Sequence, residues 1–322
     1  MGKFQILRRK TDGTPGIAHI SRAHRKRSLE VNSADEPAAR TKADAAVEHA
    51  MRADLDIVGE LNVSVKDGGR VDVGHAAIVR KRSSVVRFAL AMRTLAQSES
   101  LVVIDLGRMG YLDALRLQRE THERVVEGRL TRAPMTVFLL EHAPAVITVT
   151  RRAAASTHVL ADDEVLAAQG IERVETDRGG DVTYHGPGQL VAYPILDIER
   201  LGLRVHPYVR FLEQCIIDTL AEDGLAGIRD PTATGVWVGA DGVPERKIAA
   251  IGVRLSRYVS LHGFALNIAP ELAHFNLIVP CGLARPVTSI AAELGSRAPT
   301  LDEVKQRVAH WFIRETGRLT AG

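Results

Sequence analysis

The chain has 322 residues, of which 45% are hydrophobic and 25% charged, with a formal net charge of +3 and two cysteines. At roughly 100–200 residues per domain this allows one to three domains of ordinary globular composition. Two cysteines exclude a disulfide framework or a cysteine-rich zinc site. No run approaches the ~18 apolar residues of a membrane span, and the basic start lacks the apolar core of a signal peptide, so a cytoplasmic protein is expected.

Residues 1–100 differ from the rest. They hold 18 Lys and Arg against 12 Asp and Glu, while residues 101–322 hold 24 against 27. Of the aromatic residues, only Phe4 and Phe88 fall in this first part. So little apolar bulk hardly offsets the entropy of ordering a chain. Residues 1–100 therefore read as a basic, disordered extension, or as sequence ahead of a later start at Met51, Met92 or Met109. The run Arg22 to Arg27 also fits an arm for nucleic acid or an acidic partner, a lesser reading. Residues 101–322 read as the folded domain.

From there the elements follow in order. Leu101–Leu106 is an apolar run with strand character. Tyr111 to Val126 repeats apolar residues at helical spacing, with Leu112, Leu115, Leu117, Val125 and Val126 among charges. Met135–Leu140, behind Pro134, and Ala145–Val149 are further strands. Asp162 to Gln169 is a short helix stopped by Gly170. Val174 to Leu196 alternates strand-like runs with glycine turns, and Val205 to Ala221 is amphipathic. Gly235–Gly239 and Lys247–Arg254 form a hairpin, extended by Tyr258–Ile268. Thr300-Leu-Asp-Glu303 is a capping box that opens the last helix. Strands and helices mix without regular βαβ alternation, so an α+β class is expected, a mixed sheet with packed helices.

Three segments could carry chemistry. Cys215 falls on the apolar stripe of its helix, the place of a small core residue. Cys281, in Val279-Pro-Cys-Gly282, lies in a turn that can present a thiol, although a lone turn cysteine has no necessary role and needs an activating neighbour. Lys247 opens its strand; it is either a surface lysine on an apolar stem or, in a partly dry site, a base for Cys281. The segment Asp177 to Gln189 is rich in glycine and proline. It serves either as turns around a strand or as a close backbone approach to a ligand. It is neither a Walker A loop nor a dinucleotide fingerprint. The histidines lack metal-ligand spacing.

Taken together, Arg178-Gly-Gly-x-x-Thr-Tyr-His185-x-x-Gly-Gln189-x-x-x-Tyr193, Lys247-Ile-Ala-Ala-Ile-Gly-Val-Arg254 and Val279-Pro-Cys-Gly282 resemble the signature of the octanoyltransferases of lipoate assembly. The likeness keeps order and spacing from about Leu101 to Leu294. It implies a fold shared with biotin and lipoate protein ligases. It implies transfer of octanoyl from octanoyl-acyl carrier protein to the lysine of lipoyl domains, those of 2-oxoacid dehydrogenases and the glycine cleavage H protein. No cofactor, metal, nucleic acid or membrane is implied. Cys281 would be the acyl-thioester nucleophile and Lys247 the group that lowers its pKa and moves protons. Arg178, Gly179, Gly180, Asp181, Val182, Thr183, Tyr184 and His185 fall where the family binds acyl substrate. So do Ala250, Ile251, Gly252, Gly263, Phe264 and Ala265. The family's usual glycine-arginine step is replaced here by Thr150-Arg151-Arg152, and residues 1–100 have no counterpart.

Backbone N–H groups around Gly282 and in Gly179-Gly180 are candidates for oxyanion stabilisation. Arg151, Arg152, Arg204, Arg210, Arg254 and Arg257 are candidates for a basic rim facing an acidic carrier. An ATP-dependent lipoate or biotin protein ligase is the alternative. Cys281 separates the two, because a ligase activates the free acid as an adenylate and needs no cysteine nucleophile.

Overall fold

The computed structural model describes residues 92–152, 155–279 and 285–321, and before them only the backbone of short strands between Gly2 and Arg80. The disordered-extension reading of residues 1–100 thus falls almost wholly outside the described residues, as do Cys281 and Gly282. Two units divide the chain, Met1–Arg93 and Thr94–Gly322; the second is described here.

An eight-stranded sheet is its backbone. In chain order it takes β1 (Arg93–Gln97), β2 (Leu101–Met109), β3 (Met135–His142), β7 (Gln189–Ile195), β8 (Ile228–Arg229), β9 (Val236–Val238), β10 (Arg246–Ser256) and β11 (Val259–Asn267). Its spatial order is β8-β9-β10-β11-β7-β3-β2-β1. β2 and β3 pair in parallel, with α1 (Tyr111–Glu127) as their crossover, and every pairing from β8 through β9, β10, β11 and β7 to β3 is antiparallel. β3 and β7 are buried along their whole lengths, which explains why they read as continuous apolar runs without alternation.

A three-stranded sheet stands beside it: β4 (Ala145–Thr150) at the centre, β5 (Ile171–Thr176) parallel on one side and β6 (Thr183–His185) antiparallel on the other. The helix α2 (Asp163–Ala168) links β4 to β5, with the Asp162 carboxylate capping the Val165 N–H at 2.8 Å. Gly170 takes φ +66° just after it, the stop expected from the sequence.

Helix α3 (Val205–Ala221) buries Tyr208, Leu212, Cys215, Ile216 and Leu220, a stripe at three- and four-residue spacing. It packs on α5 (Leu301–Ala321), where Val304, Val308 and Phe312 are fully buried, each contributing about 1.5–3 kcal/mol of burial. The Phe211 and Trp311 rings meet edge to face at 4.7 Å, and the Trp311 indole donates to Asp218 at 2.7 Å. The capping box is formed: Glu303 accepts the Thr300 N–H at 2.7 Å, and the Thr300 hydroxyl accepts the Glu303 N–H at 3.3 Å. A five-residue helix, α4 (Ile290–Leu294), precedes α5.

The fold is the mixed-sheet α+β class expected. Several features were not expected: β1 precedes the anticipated domain start, β2 continues to Met109 beyond the apolar run, and the two-residue strand β8 and the five-residue helix α4 have no counterpart in the sequence analysis. β1 is half exposed and carries Arg93 and Gln97, so no hydrophobic pattern announces it.

Candidate active site

β10 and β11 run side by side with Ala250 opposite Ala265, Ile251 opposite Phe264 and Gly252 opposite Gly263. These six residues form one wall of a narrow cleft. The other walls are Arg178, Gly180, Val182, Thr183 and His185 from the glycine-rich segment, with Tyr111, Tyr193 and His262, and Lys247. The glycine-rich segment is tied to both sheets there: the Arg178 guanidinium donates to the Thr148 hydroxyl (2.8 Å) and carbonyl (3.1 Å) on β4 of the smaller sheet, and the neighbouring Gly179 N–H bonds to β10 of the larger one.

Small residues are required where backbones converge. A Cβ at Gly252 would stand 2.7 Å from the Gly179 carbonyl oxygen, and one at Gly179 would stand 2.9 Å from that of Val253. Arg178-Gly179-Gly180 therefore crosses directly over β10. The Gly179 N–H donates to the Val253 carbonyl at 2.9 Å, so this oxyanion candidate is already occupied and Gly180 is the candidate left in the pair.

Three residues of the same segment lie behind the cleft wall. Gly179 is the crossing itself. Asp181 accepts a hydrogen bond from His158 Nδ1 through one carboxylate oxygen, while its other oxygen is buried without a partner. Tyr184 packs in a core cluster with Ile147, Leu166 and Ile278; its hydroxyl donates to His274 Nδ1 at 2.9 Å, and burial raises its pKa to about 12.

Lys247 is 8% exposed. Strand pairing with β9 slips by one residue here: Val236 faces Ala249 but Trp237 faces Lys247. Such a bulge re-aims a side chain relative to strict alternation, and Lys247 joins Ala250 and Gly252 in lining the cleft. Its ammonium sits over the Trp237 ring, 4.9 Å from the centroid. Gly235 gives it room at φ +128°, since a Cβ there would lie 2.8 Å from Lys247 Cε.

The chain that leads to and from Cys281 is held on both sides. Before it, Val279 N–H donates to the His158 carbonyl at 2.8 Å. After it, the Lys247 N–H donates to Pro286 O and the Thr288 N–H donates to Lys247 O, both at 2.9 Å. Arg285 stacks on the same Trp237 ring at 3.9 Å and pairs with Asp230 at 2.5 Å.

His142 lies behind the cleft, against the rings that line it. His142 Nδ1 donates to the Met109 carbonyl at 3.0 Å, and its Nε2 accepts from the Tyr193 hydroxyl at 2.7 Å. Desolvation lowers the His142 pKa to about 4 and pushes the Tyr193 hydroxyl well above its ordinary value. Tyr111 stacks on His185, and its hydroxyl is 2.6 Å from that of Thr176. His262 donates to Asp177, whose carboxyl is held far below the usual range by that bond and by Arg254 and Arg119. Tyr193 belonged to the quoted signature, but no local pattern marked Tyr111, His142 or His262.

Four of the six rim arginines are neutralised: Arg151 by Glu175, Arg210 by Glu213, Arg254 by Asp177 and Arg257 by Glu123. Arg152 and Arg204 are exposed. Cys215 is fully buried, and burial raises its thiol pKa well above normal. Among the described residues no cluster of His, Cys, Asp and Glu could hold a metal ion, and no helix is long and apolar enough to cross a membrane.

Residues 110–313 match the lipoyl protein ligase A/B catalytic domain. An octanoyltransferase of Solibacter usitatus is 52% identical over 209 residues, covering 65% of this chain and 90% of that protein. One from Acidobacterium capsulatum is 46% identical over 227 residues, covering 67% of this chain and 90% of that one. Among solved structures, the bi-partite lipoate protein ligase of Thermoplasma acidophilum superposes with a TM-score of 0.51 at 13% identity. It covers 70% of this chain and 91% of its own, and that likeness is one of fold.

Proposed function

This chain belongs to the octanoyltransferases, acyltransferases of protein lipoylation built on the lipoyl protein ligase A/B catalytic domain, and on that premise we propose a two-step transfer through Cys281 with Lys247 as its proton-handling partner. In the first step the Cys281 thiolate attacks the carbonyl of octanoyl-acyl carrier protein. The carbon–sulfur bond to the carrier breaks, and the carrier thiolate takes the proton that left Cys281, by way of Lys247. One thioester replaces another, so no ATP is needed. In the second step the neutral amine of a lipoyl-domain lysine attacks the Cys281 thioester. An amide forms, the cysteine sulfur leaves, the proton shed by the attacking amine passes to that sulfur by way of Lys247, and this step runs downhill.

The observation that carries the reading is the seating of Lys247. Its side chain is buried against Trp237 at the cleft, and its backbone is hydrogen-bonded on both sides to the segment that follows Cys281. A lysine in so dry a place is the kind that enzymes use as a base. Ala250, Gly252, Gly263 and Ala265 give the cleft the narrow, featureless wall that suits a linear acyl chain. Gly180 and the N–H groups near Gly282 would receive the tetrahedral oxyanion.

The acceptors in this reading are lipoyl domains, of 2-oxoacid dehydrogenases and the glycine cleavage H protein, and the donor is octanoyl-acyl carrier protein. The location is cytoplasmic, and residues 1–100 are an extension outside the catalytic domain.

The test is the intact-protein mass after mixing with octanoyl-acyl carrier protein without ATP. The expected result is an octanoyl adduct on the wild type and on Cys215→Ser, and none on Cys281→Ser. Octanoylation of a lipoyl domain only with ATP and free octanoate, without an adduct, would establish a ligase instead.

A further inference from the structure

A line of buried amides runs from the cleft to the segment beside Lys247. His185 Nδ1 lies 2.8 Å from Gln189 Oε1. Gln189 Nε2 lies 2.9 Å from Asn267 Oδ1 and 3.3 Å from the Tyr184 carbonyl oxygen. Asn267 Nδ2 lies 2.9 Å from the Thr288 carbonyl oxygen. His185, Gln189, Asn267 and Thr288 are all buried.

The sense of every bond is forced from the far end. The Thr288 carbonyl only accepts, so Asn267 must turn its NH2 toward it and its oxygen toward Gln189. That oxygen, together with the Tyr184 carbonyl, demands the Gln189 NH2, which leaves the Gln189 oxygen facing His185. An amide oxygen cannot donate, so Nδ1 of His185 carries the hydrogen. Reversing any link would set two acceptors against each other in a buried site. The ring is neutral, because burial and the neighbouring His142 and Arg178 hold its pKa well below the ordinary value.

We infer that Gln189 and Asn267 are positioning residues that lock His185 as the Nδ1–H tautomer. Nε2, the other nitrogen of this cleft-lining ring, is thereby kept unprotonated as an acceptor for an N–H or S–H donor of the reacting groups. An unconstrained imidazole in water favours the opposite tautomer, so the amides are doing selection. The line ends at Thr288, whose N–H donates to the Lys247 carbonyl at 2.9 Å. The imidazole and the lysine are thus referenced to one backbone segment. The inference rests on the reading of this cleft as the acyl-transfer site.

Nitrogen-15 NMR of the imidazoles in the full chain reads the tautomer directly, with His185 assigned by the signals lost in His185→Asn. The expected wild-type spectrum shows Nδ1–H and a bare Nε2 on a neutral ring. Gln189→Met, close in volume and unable to accept from Nδ1, should release the tautomer. It should also lower kcat by about 100-fold, the scale of a small misplacement, with KM for octanoyl-acyl carrier protein little changed. Asn267→Ser should do the same more weakly. Nε2–H or a tautomer mixture in the wild type overturns the inference without any variant, and so does a released tautomer in Gln189→Met with kcat intact. Lys247→Ala in the same assay separates the two readings. If it keeps full transfer activity, the cleft assignment fails while the tautomer result stands.

Discussion

Gly235 and Lys247 compete for one volume. A Cβ at 235 would stand 2.8 Å from the lysine Cε and 2.6 Å from the Ala249 carbonyl oxygen, at a φ of +128° that side-chain-bearing residues avoid. The glycine is therefore part of how Lys247 reaches the cleft. Gly235→Ala is expected to displace the lysine and lower the transfer rate by about 100-fold. The strained backbone should cost about 1–3 kcal/mol of stability as well. Single-turnover rates beside urea unfolding check both effects, and a folded variant with wild-type turnover would show that the lysine's placement does not matter.

The two cysteines should behave differently as thiols. Cys215 is buried on α3 and its pKa is pushed well above normal by burial, so the reactive thiolate is scarce and reagents have no path to it. Iodoacetamide should leave Cys215 unmodified in the folded protein and label it only on unfolding, as peptide mapping would show. Cys215→Ser should keep transfer activity while losing about 1–3 kcal/mol, because a hydroxyl replaces a thiol in an apolar setting. Loss of activity without loss of stability would give Cys215 a role in the reaction.

The long helices could be read from the sequence because each carries its own local signal, whereas the five residues of α4 are too few to show a period. Val205–Ala221 was found at its observed bounds from a stripe at helical spacing, and Leu301 from its capping box. The wall strands were found from apolar runs and glycine turns. What sequence periodicity could not show is the bulge beside Lys247, since the slip lies in the pairing with Trp237 and not in either strand alone. Tyr111 and His262 were missed for a related reason. One begins an ordinary amphipathic helix and the other sits mid-strand, and only the packing of α1 on β11 and the pairing of β11 with β10 bring them to the cleft. β1, half exposed and without an apolar face, offered nothing to detect.

Acid should unfold this domain in two stages. Desolvation lowers the His142 pKa to about 4 in the fold, against the ordinary 6.5 of an imidazole, so the unfolded chain binds its proton first. A group shifted down in this way contributes stability that is complete above pH ~6.5 and lost as pH falls toward 4, in all roughly 3 kcal/mol. His185 acts in the same direction. Asp177, held low by His262, Arg254 and Arg119, adds a second loss below the usual carboxylate range. Urea midpoints between pH 7 and 4 should fall steadily, and His142→Asn should flatten that slope even if it lowers the plateau. An unchanged slope in the variant would mean that His142 is not the group taking up the proton.

Lys305 ties the last helix to the sheet. Its ammonium lies 2.8 Å from the Asp105 carboxylate, which also accepts the Gly107 N–H at 2.9 Å, and both side chains are almost fully buried. Removing the Asp105 charge strands the Lys305 ammonium where water cannot reach it. Asp105→Asn should therefore cost about 3–5 kcal/mol, and Lys305→Met, which leaves Asp105 its bond from the Gly107 N–H, should cost less. Replacing both together with apolar residues of similar volume should cost less than the sum, because no charge is then left alone. Urea unfolding of the two single variants and the double variant gives the coupling directly. Additive losses would mean that the pair contributes nothing as a pair, and that α5 is held by its packed face of Val304, Val308 and Phe312 alone.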